Sequence, residues 1–189
     1  MLSPMDVHRA LRERRTVHAY TRDPVPEAVI ERALEAAIHA PNHKLTMPWR
    51  FLRVGRETRA ALAELAVRLS IAKKGAMTPE IEHKVRSKIL DPHELIVVSV
   101  VRSDDPQTAR EDLAASACAV QNLCLSLWAD GVGSKWSTGT PSRADEGYAL
   151  LGIDREREDI VGFVWVGVPL RVPQTPPRPP LSDFVRRLP

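Results

Sequence analysis

Residues 106–130, PQTAREDLAASACAVQNLCLSLWAD, constrain the fold more than any other segment. Leu113, Ala117, Val120, Cys124 and Leu127 recur at helical spacing, and Leu123, Leu125 and Trp128 add apolar groups on other faces. A helix that is apolar nearly all round is buried on every side. In a chain of 189 residues it is expected to serve the core and a contact between two copies, the alternative being the central helix of a monomer. It does not read as a membrane span. Its apolar stretch, 113–129, is shorter than the ~20 residues a span needs and contains Gln121 and Asn122.

The rest of the chain fits one domain over residues 1–189. Hydrophobic residues at 43% and charged residues at 27% exclude wholesale disorder. A net charge of +3 is too small to imply nucleic acid by itself. Cys118 and Cys124 are six apart in the long helix, and six residues turn a helix by about 600°, so they point to different faces. That spacing excludes a C-x-x-C motif, and both are expected to be buried small hydrophobes in a reducing, cytoplasmic compartment. The opening MLSPMDVHRALRERR reads as a basic amphipathic helix without the apolar stretch of a signal peptide.

The remaining elements follow from caps and periodicity. Ser3 and Asp6 offer caps to a first helix ending near Arg14, and Pro26 opens a second helix over 26–39 that Pro41 stops. A short strand is expected at 50–54 and helices at 57–73 and 79–90. ELIVVSVV, 94–101, reads as a buried strand, 141–151 as a helix, and DIVGFVWVGV, 159–168, as a last strand. This intermixing predicts an α/β or α+β sandwich. The end, PLRVPQTPPRPP, should be an extended polyproline-like arm over 169–189, held by Leu181, Phe184, Val185 and Leu188.

Three groups of residues offer chemistry. Arg14, Arg15 and Thr16, beside Arg12, suit a dianionic phosphate, since guanidinium forks and a hydroxyl match its oxygens; the plain alternative is a solvated basic face. His39-Ala40-Pro41-Asn42-His43-Lys44 is a polar loop leaving an apolar helix. Pro41 breaks the helical spacing of the two histidines, so a zinc site is not expected. Lys135-Trp136-Ser137-Thr138-Gly139-Thr140 follows Gly131 and Gly133, and suits a heterocyclic ligand or is simply a Gly-rich turn. Asp104-Asp105 reads as a loop and cap. The chain has no Gly-x-Gly-x-x-Gly, Gly-x-x-x-x-Gly-Lys or Gly-x-Ser-x-Gly motif, and no obvious nucleophile or proton-transfer pair. An enzyme built this way borrows its reactive group from a cofactor.

In order and spacing these pieces resemble the nitroreductase family. The resemblance runs through Arg14-Arg15-Thr16, Pro24-Val25-Pro26, Ala40-Pro41-Asn42-His43-Lys44 and Pro48-Trp49-Arg50-Phe51. It continues in Gly131-Val132-Gly133, in the strand from Ile160 to Pro169, and in Pro177-Arg178-Pro179 with Leu181. It is nearest to a short, minimal-scaffold subgroup. It implies a mixed central sheet flanked by helices and an intertwined homodimer with two FMN sites at the interface, the C-terminal arms packing on the partner. Arg14, Arg15, Thr16 and Arg178 would hold FMN through its phosphate and ribityl chain. His39, Asn42, His43 and Lys44 would face the flavin of the other subunit, and Trp136, Ser137 and Thr138 would form a further flavin-contacting segment. The implied activity is hydride transfer from NAD(P)H through flavin N5 to a small electron-poor acceptor, a nitroaromatic, a quinone or similar. No side chain of the protein is then a catalytic residue and no metal is needed. Lys44 or Lys135 would stabilise the reduced flavin near N1 and O2. Neither a nucleic-acid nor a membrane partner is implied. Residues 70–94 are brief against larger members, and 131–135 lack the acid those members place near the nicotinamide. The alternative is a non-catalytic, dimeric flavin-binding or sensor protein.

Overall fold

Two Val- and Ile-rich runs form the middle of a sheet because they are buried on both faces. In the computed structural model, which describes residues 6–188, the strands are β1 (Trp49–Arg53), β2 (Glu94–Val101), β3 (Gly133–Ser137) and β4 (Glu158–Gly167). They pair in the order β1-β2-β4-β3, every pairing antiparallel. The mixed character expected of the sheet is confined to one parallel bridge, Thr16 to Ser134, beside β3. The helices are α1 (Val7–Glu13), α2 (Glu27–Ile38), α3 (Arg56–Lys74), α4 (Pro79–Leu90), α5 (Pro106–Ala129) and α6 (Asp145–Leu151). The architecture is α+β.

The period-2 alternation of strands sorts the core into two layers. Ile96, Val98, Val100, Val164 and Val166 pack against α2 and α5 through Ile30, Ala33, Ala119, Leu123 and Leu127. On the opposite face, Leu95, Val97, Phe163 and Trp165 meet Leu62, Leu65 and Ala66 of α3, Ile89 of α4 and Leu151 of α6. Each such side chain, fully buried, contributes about 1.5–3 kcal/mol of transfer free energy. No helix among the described residues is long and apolar enough to cross a membrane.

Most expected elements appear within a residue or two, and the differences have physical causes. Asp6 caps α1 through its carboxylate and Arg9 N (2.9 Å), while Ser3 lies outside the described residues. Asp105 caps α5 by accepting from Thr108 N (3.0 Å). β3 is an additional strand at a segment read as a ligand-contacting stretch or a Gly-rich turn: GSKWS carries no apolar alternation of its own, and pairing with the long β4 makes it a strand. The helix expected over 141–151 is two pieces, a 3-10 turn at Thr140–Ser142 and α6, because Ala144 between them is extended (φ −83°, ψ 141°). α5 is not buried on every side within one chain. Leu113 is 51% exposed, and Ala114, Cys118 and Gln121 continue an open stripe of uncharged residues. Cys118 is therefore exposed, against expectation, whereas Cys124 is buried.

The backbone of the arm is fastened at its root, and a side-chain bond to Thr175 holds it farther along. Thr21 N donates to Val168 O (2.9 Å), and Leu170 N to Ala19 O (3.0 Å). Beyond it, Leu181, Phe184, Val185 and Leu188 are 51–90% exposed, so the expected anchor finds no seat on its own chain.

Candidate functional site

The Arg14–Thr16 segment is shaped by the end of α1 and the edge of β3. Arg15 is buried, and its Nη1 donates to the carbonyls of Arg12 and Arg14 (both 2.6 Å), closing the helix end. Its Nη2 donates to the hydroxyl of Thr175 in the arm. Its Nε is buried without a partner among the described residues. Arg14 is half-buried near Cys124, and its guanidinium has no hydrogen bond among the described residues. Val17 N donates to Ser134 O (3.0 Å), which pins Thr16 against β3. Gly133 permits this approach: a Cβ there would lie 2.6 Å from Val17 Cγ2. Arg178 is exposed. It follows Thr175 by three residues, so an extended arm keeps it within about 9 Å of the Arg15 contact.

The His39–Lys44 loop stands elsewhere, along the N-terminal half of α5. His43 Nδ1 lies 2.6 Å from Glu111 Oε2, and Lys44 Nζ donates to Thr108 Oγ1 (3.4 Å). His43, followed by Gln107, holds the Glu111 carboxyl below its usual range. Asn42 Oδ1 accepts from Met47 N (2.7 Å), its Nδ2 donates to Thr46 Oγ1 (3.0 Å), and Thr46 Oγ1 donates to the buried carboxylate of Asp112 (2.5 Å). These bonds hold Lys44, Leu45 and Met47 at φ of 60°, 52° and 46°. Such backbone costs about 1–3 kcal/mol per residue and persists where neighbours over-determine it. His39 is exposed at the end of α2. From Glu111 to Leu127 α5 rises about 24 Å. The loop and the arginine segment are thus held near opposite ends of one helix and do not meet within a chain.

Trp136, Ser137 and Thr138 are split by the pleat of β3. Trp136 pairs with Val164 and sits on the α5 side, its Nε1 donating to Val161 O (3.3 Å). A Cβ at Gly162 would lie 2.3 Å from that nitrogen, so the indole rests on bare backbone. Ser137 pairs with Phe163 and faces α3 and α4 with Lys135, while Thr138 accepts from Arg143 Nη2 (3.3 Å).

Two cavities adjoin that second face. One, of about 380 Å³, is lined by His18, Lys84, Ser87, Lys88, Lys135 and Trp165 among others. The other, of about 210 Å³, lies between α3, α4 and β3 and includes Lys74, Lys88, Lys135, Ser137, Thr140 and Phe163. They share Lys88, Lys135 and Trp165. Burial first and Lys88 second push the ammonium of Lys135 below its usual value; burial, then Lys135 and Lys88, do the same to His18. Sequence reasoning named Lys135 but missed His18, Lys84 and Lys88. The available signal was the four-residue spacing of Lys84 and Lys88, which sets both on one face of α4. A wider cleft of about 940 Å³, between the start of α3 and the corner joining α4 to β2, contains none of the expected residues.

The nitroreductase family profile matches residues 11–168. A Bacillus subtilis (strain 168) protein named "Putative NAD(P)H nitroreductase YfhC" is 33% identical over 175 residues, covering 92% of this chain and 89% of its own. Among solved structures, a nitroreductase-like family protein from Bacillus cereus superposes with a TM-score of 0.85 at 25% identity, covering 100% of this chain and 98% of that one. A Desulfovibrio desulfuricans structure described as a nitroreductase in complex with FMN superposes at 0.78 and 22% identity, covering 100% and 99%, and shares the fold. With a profile match over most of its length and a relative above 30% identity along nearly all of it, the chain belongs to the nitroreductase family.

Proposed function

We propose that two copies of this chain form a homodimer with two FMN sites, each built from the arginine segment of one copy and the His39–Lys44 loop of the other. As a member of its family the chain is an NAD(P)H-dependent oxidoreductase that uses FMN. The observation that carries the dimer is the separation of the two halves along α5, together with the open stripe of Leu113, Ala114, Cys118 and Gln121 between them. A two-fold contact through that stripe is self-complementary and places one copy's loop beside the other's arginines. The exposed arm supplies apolar side chains for the same contact.

The residues present fit the cofactor. The orphaned Arg15 Nε and the uncommitted Arg14 guanidinium are donors awaiting an anion, and Arg178 arrives with the arm. We assign the phosphate to Arg14, Arg15, Thr16 and Arg178. The cavities bounded by Trp165, Lys88, Lys135 and the β3 backbone form an aromatic-walled, cationic seat suited to a planar ring that becomes anionic on reduction. Bound FMN supplies hydride acceptance from NAD(P)H and delivery to a second substrate. The protein binds and orients. His18, Lys88 and Lys135 stabilise negative charge at the ring edge, and the partner's loop 42–47 closes the site from above and excludes water. The acceptor is a small electron-poor molecule such as a nitroaromatic or quinone, and the setting is cytoplasmic.

The visible absorption of purified protein tests this reading. The wild type should be yellow and bleach rapidly with NAD(P)H under anaerobic conditions. Arg14→Ala, and the double variant with Arg15→Ala, should purify largely colourless with wild-type circular dichroism. Full FMN retention in the double variant overturns the phosphate assignment, and failure to bleach leaves a flavin-binding protein without reductase activity.

A further inference from the structure

We propose that the acceptor taken by this site carries a negative charge of its own, a carboxylate or similar anionic group on an electron-poor ring. The proposal rests on the flavin reading above and concerns cations left over once the flavin is seated. The phosphate is assigned to arginines on the other side of β3, and Lys88 and Lys135, shared by both cavities, stand beside the ring. Two further lysines remain. Lys74, in the last turn of α3, lines the smaller cavity only, and Lys84, on α4, lines the larger only.

Neither has an ion pair among the described residues. Of the carboxylates on their own helices, Glu64 and Glu82 are taken by Arg86 (Nε to Oε1 2.7 Å and Nη1 to Oε2 3.0 Å), Glu80 bonds Thr78 at the start of α4, and Glu57 lies in the first turn of α3, far from Lys74. Asp91, at the end of α4, is the one carboxylate among the described lining residues of the two cavities. His18, Lys74, Lys84, Lys88 and Lys135 therefore line two adjoining cavities that hold a single carboxylate between them, an arrangement that favours a negatively charged occupant.

The rest of the lining fits an anionic group attached to a ring. Phe163 and Trp165, edge to face with centroids 5.8 Å apart, wall the seat of the flavin, so the acceptor's ring has the flavin as its apolar surface. Ser70, Ser137 and Thr140 add hydroxyl donors beside Lys74 and Lys135. A neutral acceptor would satisfy the flavin surface and leave the ammonium groups of Lys74 and Lys84 with water. An anionic one uses both, and its attraction to two lysines in a half-open site amounts to a preference of about 3–10-fold.

The test compares acceptors matched in shape. With FMN-loaded dimer, kcat/KM is measured for 4-nitrobenzoate and for 4-nitrobenzamide in the wild type, Lys74→Gln, Lys84→Gln and the double variant. The ratio of anionic to neutral acceptor should fall about 3–10-fold in the double variant. It should also fall as salt rises from about 0.02 to 0.3 M, which shortens the screening length. A readout without turnover accompanies it: benzoate, titrated against the flavin absorbance of the oxidised protein, should lose affinity in the double variant by a similar factor, while benzamide does not. Ratios and benzoate affinities unchanged by both substitutions and by salt overturn the proposal while leaving the flavin reading intact. Protein that takes up no FMN overturns both.

Discussion

Arg59 offers a stringent test of how the site is held. It lies in α3, is almost wholly buried, and spends its guanidinium on the far end of α4. Nε and Nη2 donate to Ile89 O (3.2 and 2.8 Å), Nη2 also to Leu90 O (3.0 Å) and Pro92 O, and Nη1 to His93 O (3.0 Å). A helix end needs donors for its last carbonyls, and the last two of α4, those of Ile89 and Leu90, take them from this one side chain. Arg59→Leu keeps much of the volume and removes every donor. A buried carbonyl left unmatched costs about 1–3 kcal/mol. Part of that is returned, because a guanidinium whose burial opposes its charge no longer has to be desolvated. The net loss should be about 3–5 kcal/mol, since four carbonyls lose their donor and only part of that cost is returned. With a urea slope near 2 kcal/mol/M, the midpoint should fall by about 1.5–2.5 M. Thermal unfolding should drop by roughly 10 °C. Arg59→Lys keeps the charge, but a single ammonium cannot serve all four carbonyls, so it should recover only part. Since α4 carries Lys88, FMN affinity should weaken alongside. A loss under about 1 kcal/mol for the leucine variant, with m unchanged, would refute the view that Arg59 organises this corner.

Two smaller experiments follow from the same geometry. Thr46→Val removes the hydroxyl joining Asn42 to the Asp112 carboxylate, so the strained turn through Lys44, Leu45 and Met47 should relax and FMN should bind less tightly; Thr46→Ser should restore binding, and equal affinity in both variants would show the hydroxyl to be idle. Burial pushes the Tyr20 phenol above its ordinary 10.0, so the unfolded chain loses that proton first and stability should fall as pH rises beyond about 10, by up to about 1.4 kcal/mol per unit. Tyr20→Phe should flatten this alkaline limb, while costing about 1 kcal/mol at neutral pH through the lost bond to Val17 O (2.9 Å), and pH-resolved urea curves with identical slopes would contradict it.

The sequence by itself determined the elements whose signals are local. Val- and Ile-rich runs became β2 and β4, Asp6 and Asp105 capped their helices, and Pro41 ended α2, because side-chain burial, capping and proline sterics act within a few residues. The order of motifs from Arg14 to Arg178 also carried the family. β3 was not legible, because GSKWS becomes a strand only by pairing with a partner far along the chain. The open side of α5 was hidden for a related reason: Leu113 and Cys118 are apolar, as a core residue or a contact residue would be, and only the packing shows that no element among the described residues covers them. Tertiary structure alone set the loop of His43 and the segment of Arg14 near opposite ends of one helix, and turned Trp136 and Ser137 to opposite faces of the sheet. It alone gathered His18, Lys74, Lys84, Lys88 and Lys135 from four separate segments around shared cavities, since charges distant in sequence reveal their common field only when the chain is folded.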